Sequence, residues 1–304
     1  MPDYVEPFFG SGAVLLGRPH RPKIETINDL DGFVANAWRA IRSDPDTAAK
    51  WADNPVNECD LHARHIWLVG KRETLSARLE ADPEYFDPKI AGWWLWGIAC
   101  WIGGGFCSGS GPWGVVEEDG IKVLGKRDAG QGVKRQLPNL GDAGRGVNRQ
   151  RPHLSNAGQG VNRKLPLGEW FGALADRLER VRVCCGGWER ICGPSVTTKL
   201  GVTGVFFDPP YSDEAGRDMD IYSTDSGTVA HDVRRWCIEH QDDPKLRIAL
   251  CGYEGEHDLP GWDCVAWKAH GGYGLRGDAR GRANATRERI WFSPHCLDPK
   301  KRLL

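Results

Sequence analysis

The sequence predicts an α/β fold, a mostly parallel sheet interrupted by a helical and basic insertion over roughly residues 45–168. Three observations predict it. Strand-like and helical stretches alternate at both ends of the chain, the middle lacks that alternation, and glycines, acids or prolines punctuate the ends of the strand candidates. Open α/β sheets place their sites at such strand ends.

Tyr4–Phe8 is a short strand-like run, followed by Gly10, Ser11, Gly12 and the apolar Ala13–Leu16. Ile24–Ile27 resembles a second strand ending in Asn28 and Asp29, and Gly32–Arg42 has helical spacing. Asp44–Leu79 reads as helices and loops. Lys89–Trp101, KIAGWWLWGIACW, reads as an aromatic helix feeding the Gly-rich loop Ile102–Gly114. Such a loop serves equally as an exit turn or as backbone that approaches a ligand closely. A helix is expected from Glu169 to about Glu179, and strands at Val181–Cys185, Gly204–Phe207 and Leu246–Cys251. Between the last two strands lies a long helix around Ser226–His240.

With 304 residues, 40% of them hydrophobic and 27% charged, the chain has the balance of a soluble globular protein. The most apolar run, Ile90–Phe106, is broken by Gly and rich in Trp, so no membrane span is expected. The start, Met1–Phe9, has no basic segment ahead of an apolar core, so a cytoplasmic location is expected. Ten Cys occur without a CxxC pair, so free, mostly buried thiols are expected rather than disulfides or a metal site.

The net charge of −1 is unevenly distributed. Ile121–Lys164 holds ten basic residues against two acids, a local +8, so the remainder carries −9. A basic segment in an acidic body points to a polyanionic partner. The same segment repeats with a period of 14: Asp128 begins DAGQGVKRQLPNLG, Asp142 begins DAGRGVNRQRPHLS and Asn156 begins NAGQGVNRKLPLGE. Two Gly near the start of each copy and a Pro near its end oppose a continuous helix, and each copy has too few apolar residues to stack as a solenoid. A duplicated surface loop and a basic arm along a phosphate backbone are compatible readings, the arm using Lys126, Arg127, Lys134, Arg135, Arg145, Arg149, Arg163 and Lys164.

Three features carry chemistry. In EPFFGSGAVLL (Glu6–Leu16) a Gly-rich turn joins a strand to a helix, an arrangement that receives nucleotide-like cofactors or is simply a tight turn. About twenty residues on, Asp29 ends the next strand, where a carboxylate accepts hydrogen bonds from ribose hydroxyls. Asp29 competes with Asp31 for that role and for capping the helix that follows. Neither dinucleotide spacing nor a Walker Lys is present, so a cofactor with one ribose fits best. In VFFDPPYSD (Val205–Asp213), three apolar residues lead to Asp208, Pro209, Pro210 and Tyr211. Paired prolines fix the backbone and leave carbonyls without neighbouring N–H donors. An acid and a carbonyl so placed accept both hydrogens of an exocyclic amine while Tyr211 stacks on its ring.

In motif and order the chain resembles the Dam-like, D12 class of DNA adenine-N6 methyltransferases, with a phage-like character. EPFFGSGAVLL is similar to that family's cofactor motif, INDLDGFVANAWRAIR (Ile27–Arg42) to its ribose-binding motif, FFDPPY to its catalytic motif and NATRERIWFSPHCL (Asn284–Leu297) to its closing strand. The resemblance implies a Rossmann-like, doubly wound sheet of the S-adenosylmethionine-dependent type, formed by residues 1–44 and 169–304, with a target-recognition insertion over 45–168 that includes the repeats at 128–169. It implies S-adenosylmethionine as cofactor and methyl transfer to adenine N6 of a base flipped from double-stranded DNA, by a monomer. Glu6, Pro7, Phe8, Gly10 and Gly12 would line the cofactor, Asn28 and Asp29 its ribose side, and Trp188 in CCGGWER its adenine. Asp208 would face both cofactor and target amine. The Pro209 carbonyl would share the amine and Tyr211 would stack on the flipped base. The resemblance also implies a place in restriction–modification, and methylation of cytosine N4 and a DNA-binding remnant without catalysis are the alternatives. The family's PYxGGK-like segment is not found ahead of Tyr4, nor in the polar tail LDPKKRLL (Leu297–Leu304). A start further upstream, an incomplete pocket and substitution by another segment are each consistent with that.

Overall fold

The computed structural model describes residues 2–19, 23–101, 106–107, 113–118, 121–126, 166–211, 228–267 and 287–297, with the backbone alone at 113–118 and 121–126. The expectations for the repeats up to residue 165, and for the basic side chains of Lys126, Arg127, Lys134, Arg135, Arg145, Arg149, Arg163 and Lys164, lie outside the described residues.

The chain opens on strand β1 (Asp3–Glu6), then a Gly turn, the short helix α1 (Ala13–Gly17), strand β2 (Ile24–Asp29) and helix α2 (Gly32–Ser43). Helices α3 (Pro45–Ala52), α4 (Glu58–Val69), α5 (Arg72–Ala81) and α6 (Pro88–Cys100) follow. Next come the strands β3 (Trp113–Glu118) and β4 (Ile121–Lys126), helix α7 (Leu167–Leu178) and strand β5 (Val181–Cys185). Strand β6 (Thr203–Phe207), helix α8 (Val229–His240) and strands β7 (Leu246–Tyr253), β8 (Asp263–Ala266) and β9 (Glu288–Phe292) complete the order.

Side-chain caps set the helix starts. Asp31 accepts from the Phe33 N–H at 2.9 Å at the head of α2, and Asp87 does the same for Ile90 at 2.9 Å at the head of α6, where Pro88 takes the first position. Asp44 closes α2 and caps α3 through the Thr47 N–H at 3.2 Å.

Seven strands form one sheet in the order β5-β2-β1-β6-β7-β9-β8. The first five run parallel, and β9 is antiparallel to both β7 and β8. The expected mostly parallel α/β sheet is thus present, and it is consistent with an S-adenosylmethionine-dependent methyltransferase fold. β3 and β4 pair separately as an antiparallel hairpin, which the sequence reading did not anticipate. The signal was there: two β-prone runs joined by Asp119-Gly120, a dipeptide that favours tight hairpins. Helix α7 begins at Leu167, two residues earlier than expected, so the third repeat ends inside a helix whose Leu167 is buried.

The core divides by sheet face. One cluster joins Tyr4, Ile27 and Val183 of the sheet to Ala37 and Ile41 of α2, Ala48 and Ala52 of α3, Leu95 of α6 and Phe171 of α7. Helices α3 and α6 therefore share a core with the sheet. A second cluster packs Val5, Val205, Ile248 and Leu250 against Val233 and Cys237 of α8, and a third joins Phe33 of α2 to Leu68 of α4, Leu75 and Leu79 of α5 and Ile90 of α6. Six of the ten thiols are buried and all are free, as expected.

The β5 edge is sealed by arginines. In a parallel pair alternate carbonyls of the outer strand point away from the sheet, and each of these three has a guanidinium on it. Arg42 donates to the Val181 carbonyl at 2.8 Å, Arg39 Nε to Val183 at 2.9 Å and Arg190 to Cys185 at 2.8 Å. Arg39 is buried and also donates to the carbonyls of Asp82 and Tyr85, tying the end of α5 to this edge.

Candidate active site at the carboxyl edge of the sheet

After β1 and β2 the chain builds one side of the sheet, and β6 then returns to the other side of β1. Sheets with such a reversal bind ligands beyond the carboxyl ends of the two diverging strands, here β1 and β6. The structure brings Glu6, Phe8, Gly10, Gly12, Asn28, Asp29, Trp188 and the Asp208–Tyr211 quartet to that one edge, because each lies at or just past the end of β1, β2, β5 or β6.

The Gly turn is closed by hydrogen bonds from both sides. Gly12 N–H donates to the Phe9 carbonyl at 2.8 Å, Phe9 N–H to the Asn28 carbonyl at 3.0 Å and Trp38 Nε1 to the Gly10 carbonyl at 2.9 Å. Gly10 and Gly12 adopt φ of 47° and 69°, a left-handed conformation that favours glycine. Their surroundings differ: a Cβ on Gly12 would come within 2.6 Å of the Phe9 ring, whereas one on Gly10 would meet nothing within 4 Å.

The contest between Asp29 and Asp31 is settled in part, since Asp31 caps α2. Asp29 instead accepts from the Gly10 N–H and the Asp31 N–H, each at 2.9 Å, so it holds the Gly turn against the end of β2. Burial, reinforced by the nearby Asp31, pushes its carboxyl up to about 7. Asn28 donates to the carbonyls of Pro7 at 3.2 Å and Gly186 at 2.9 Å, joining the loops after β1 and β5. Its Oδ1 is buried with no hydrogen-bond partner among the described residues.

Trp188 stands in a short 3-10 turn after β5 and is 9% exposed. Its ring lies 6.3 Å from Phe8 and 5.9 Å from Phe207, so the three aromatics form the apolar floor between β1, β5 and β6. Phe207 and Trp38 were not singled out in the sequence, where they look like ordinary members of an apolar strand and an apolar helix face.

At the end of β6, Asp208 is exposed while the Pro209 beside it is buried. The Tyr211 hydroxyl lies 3.1 Å from Asp208 Oδ1 and 2.9 Å from Glu288 Oε2 on β9. Its ring packs edge-on against Tyr253 at 4.6 Å. Glu288 was also missed: it stood inside the closing-strand motif with no role, and only the register pairing it with Tyr253 brings it here. Local desolvation, then Glu288, push the Asp208 carboxyl up to about 6, and burial raises Glu288 as well. On β1, Glu6 is buried, accepts from the Tyr4 hydroxyl at 2.8 Å and is pushed up to about 8 by burial. The edge therefore presents Glu6, Asp29, Asp208 and Glu288, all held toward their neutral forms. A cation entering there would favour their ionisation.

Residues 1–60 match the family model described as D12 class N6 adenine-specific DNA methyltransferase. No curated protein matches the chain. The matched stretch contains the Gly turn, Asn28 and Asp29, and the Asp208–Tyr211 quartet lies beyond it. Among the described residues no helix is long and apolar enough to cross a membrane. The likeness to the D12 class of DNA adenine-N6 methyltransferases, first read from motifs, is thus borne out over residues 1–60, and the match supports DNA adenine methylation in general.

Proposed function

We propose that the chain transfers a methyl group from S-adenosylmethionine to N6 of an adenine flipped out of double-stranded DNA. The observation that carries this reading is the convergence of the Gly turn, Asp29 and Asp208-Pro209-Pro210-Tyr211 at the carboxyl edge of the neighbouring strands β2, β1 and β6. The residues suit the cofactor: open space beyond Gly10, the unpartnered Asn28 Oδ1 and the Asp29 carboxylate offer room and acceptors for a ligand bearing amine and hydroxyl donors. Phe8, half-buried and backed by Trp188 and the fully buried Phe207, offers an aromatic surface for a purine.

S-adenosylmethionine supplies a methyl group on a sulfonium, so transfer to nitrogen needs alignment above all. Adenine's amino lone pair is delocalised into its ring. Asp208 and the Pro209 carbonyl accept the two amine hydrogens and draw the nitrogen toward tetrahedral geometry, which makes it a better nucleophile. The nitrogen sheds one proton as it takes the methyl. Asp208, with its carboxyl pushed up to about 6, is suited to accept that proton. Tyr211 offers a ring face to a base that has lost its stacking in the duplex. Residues 1–44 and 169–304 carry these groups, and the stretch 45–168 with its basic repeats would hold DNA as a target-recognition region. The enzyme would act as a monomer.

The test is Asp208→Ala against wild type on unmethylated DNA, reading N6-methyladenine after digestion to nucleosides. Product in wild type and none in the variant, with DNA affinity little changed, is the expected result. Equal loss of binding and activity would count against the assignment, and N4-methylcytosine as product would move the reaction to cytosine.

A further inference from the structure

The Tyr211 hydroxyl has one proton and two carboxyl neighbours, Asp208 at 3.1 Å and Glu288 at 2.9 Å. It thereby occupies Oδ1, one of the two Asp208 oxygens open to a target amine. The ring is anchored independently of Asp208, since Tyr253, directly opposite Glu288 in the β7–β9 ladder, packs edge-on against it at 4.6 Å. Glu288 is thus fixed by strand register beside the Tyr211 hydroxyl, on a different element from Asp208.

We infer that Glu288 is a positioning residue that takes over the Tyr211 hydroxyl when the target base enters, so that Asp208 is released to the amine while the ring stays in place to stack. This rests on the proposed methyl transfer, but it assigns a role that no part of the Asp-Pro-Pro-Tyr motif supplies. One oxygen cannot serve the phenol and the amine at full strength. With Glu288 as alternative acceptor the phenol swings to it without losing its hydrogen bond. Without Glu288 the phenol's one carboxyl partner among the described residues is Asp208, and it competes with the substrate for that oxygen.

The consequence differs in sign from that of a structural role. In Glu288→Ala the free hydroxyl stays on Asp208, and kcat falls by about ten- to hundredfold, the effect of one charge-assisted hydrogen bond in the wrong place. Adding Tyr211→Phe to Glu288→Ala removes the competing hydroxyl and keeps the ring, so the double variant is more active than Glu288→Ala alone. Glu288→Gln keeps an acceptor oxygen and stays within about threefold of wild type, a change of well under one hydrogen bond. The measurements are kcat and KM on unmethylated DNA by N6-methyladenine yield, with calorimetry of S-adenosylmethionine binding and thermal unfolding beside them. Rescue by Tyr211→Phe, with cofactor affinity unchanged, supports the role. Wild-type kcat in Glu288→Ala, or equal loss with and without Tyr211→Phe, overturns it. If Glu288→Ala does not fold, the comparison passes to Glu288→Leu with and without Tyr211→Phe, read in the same way. A wild type that makes no N6-methyladenine would instead overturn the proposed function, and this role with it.

Discussion

Alanine at Gly10 and alanine at Gly12 should fail in different ways, although the two glycines lie two residues apart with the same sign of φ. At Gly12 an alanine incurs the left-handed backbone cost, about 1–2 kcal/mol, and its Cβ lies 2.6 Å from Phe9 Cζ and 3.2 Å from Trp38 Cζ2. Both rings are buried, at 4% and 3% exposure, and pack edge-on at 5.1 Å, so neither can move without disturbing the core. Overpacking of this kind adds about 1–3 kcal/mol. The total, roughly 2–5 kcal/mol, is a large part of the 5–15 kcal/mol that holds a typical domain together. At Gly10 the backbone term is the same, but the new methyl meets nothing within 4 Å. Its stability cost is therefore only about 1–2 kcal/mol. That methyl would stand in the open space assigned to the cofactor, so Gly10→Ala should weaken S-adenosylmethionine binding by at least about tenfold, the effect of about 1.4 kcal/mol. Urea unfolding gives the stability difference and calorimetry the affinity. The reasoning is wrong if the two variants unfold at the same urea concentration, or if Gly10→Ala binds cofactor as well as wild type.

Two further outcomes follow from the electrostatics and the sheet edge. Arg39→Met keeps the aliphatic stem but removes the donor from the buried Val183 carbonyl, and the carbonyls of Asp82 and Tyr85 turn to water, so unfolding should cost about 2–4 kcal/mol less; an unchanged urea midpoint would show the β5 edge does not need it. S-adenosylmethionine affinity should rise as pH increases through about 6 to 8, because Asp208 near 6, Asp29 near 7 and Glu6 near 8 ionise over that range and the ligand is cationic. The thioether product S-adenosylhomocysteine, lacking the sulfonium, should show a shallower slope by calorimetry, and equal slopes would refute the electrostatic account.

The parallel strands were legible because each is a short apolar run ended by glycine, acid or proline, and the structure places β2, β5 and β6 within a residue or two of their expected limits. Apart from the β3–β4 hairpin, whose signal is local, what failed to appear in the sequence depends on long-range register. Strand β8, with the sequence Asp263-Cys264-Val265-Ala266, is mostly exposed and exists because β9 offers it a partner. The division of labour between Asp29 and Asp31 could be posed from spacing but not answered, since it turns on which N–H groups the folded loop presents. Glu288 belongs to a recognisable strand, but its meeting with Tyr211 over 77 positions of sequence requires the antiparallel ladder of β7 and β9.

Asp29 shows why the fold and the proposed site should not be separated by simple truncation. Its two oxygens already accept the Gly10 and Asp31 N–H groups, which fixes the Gly turn before any ligand arrives. A carboxylate offers about four lone-pair directions, so two remain for hydroxyl donors from outside. Closing the turn and binding a ribose are then concurrent uses of one side chain. Alanine at this position would remove both and report a collapsed turn as lost affinity. Asparagine keeps one acceptor oxygen and replaces the other with a donor facing an N–H, so it too disturbs the turn. The cleaner probe leaves Asp29 intact and alters the ligand: a 2′-deoxyribose analogue of the cofactor removes one hydroxyl donor and leaves every intramolecular hydrogen bond of the turn in place. Weaker binding of that analogue assigns the spare lone pairs to the ribose, and equal binding assigns Asp29 to the fold alone.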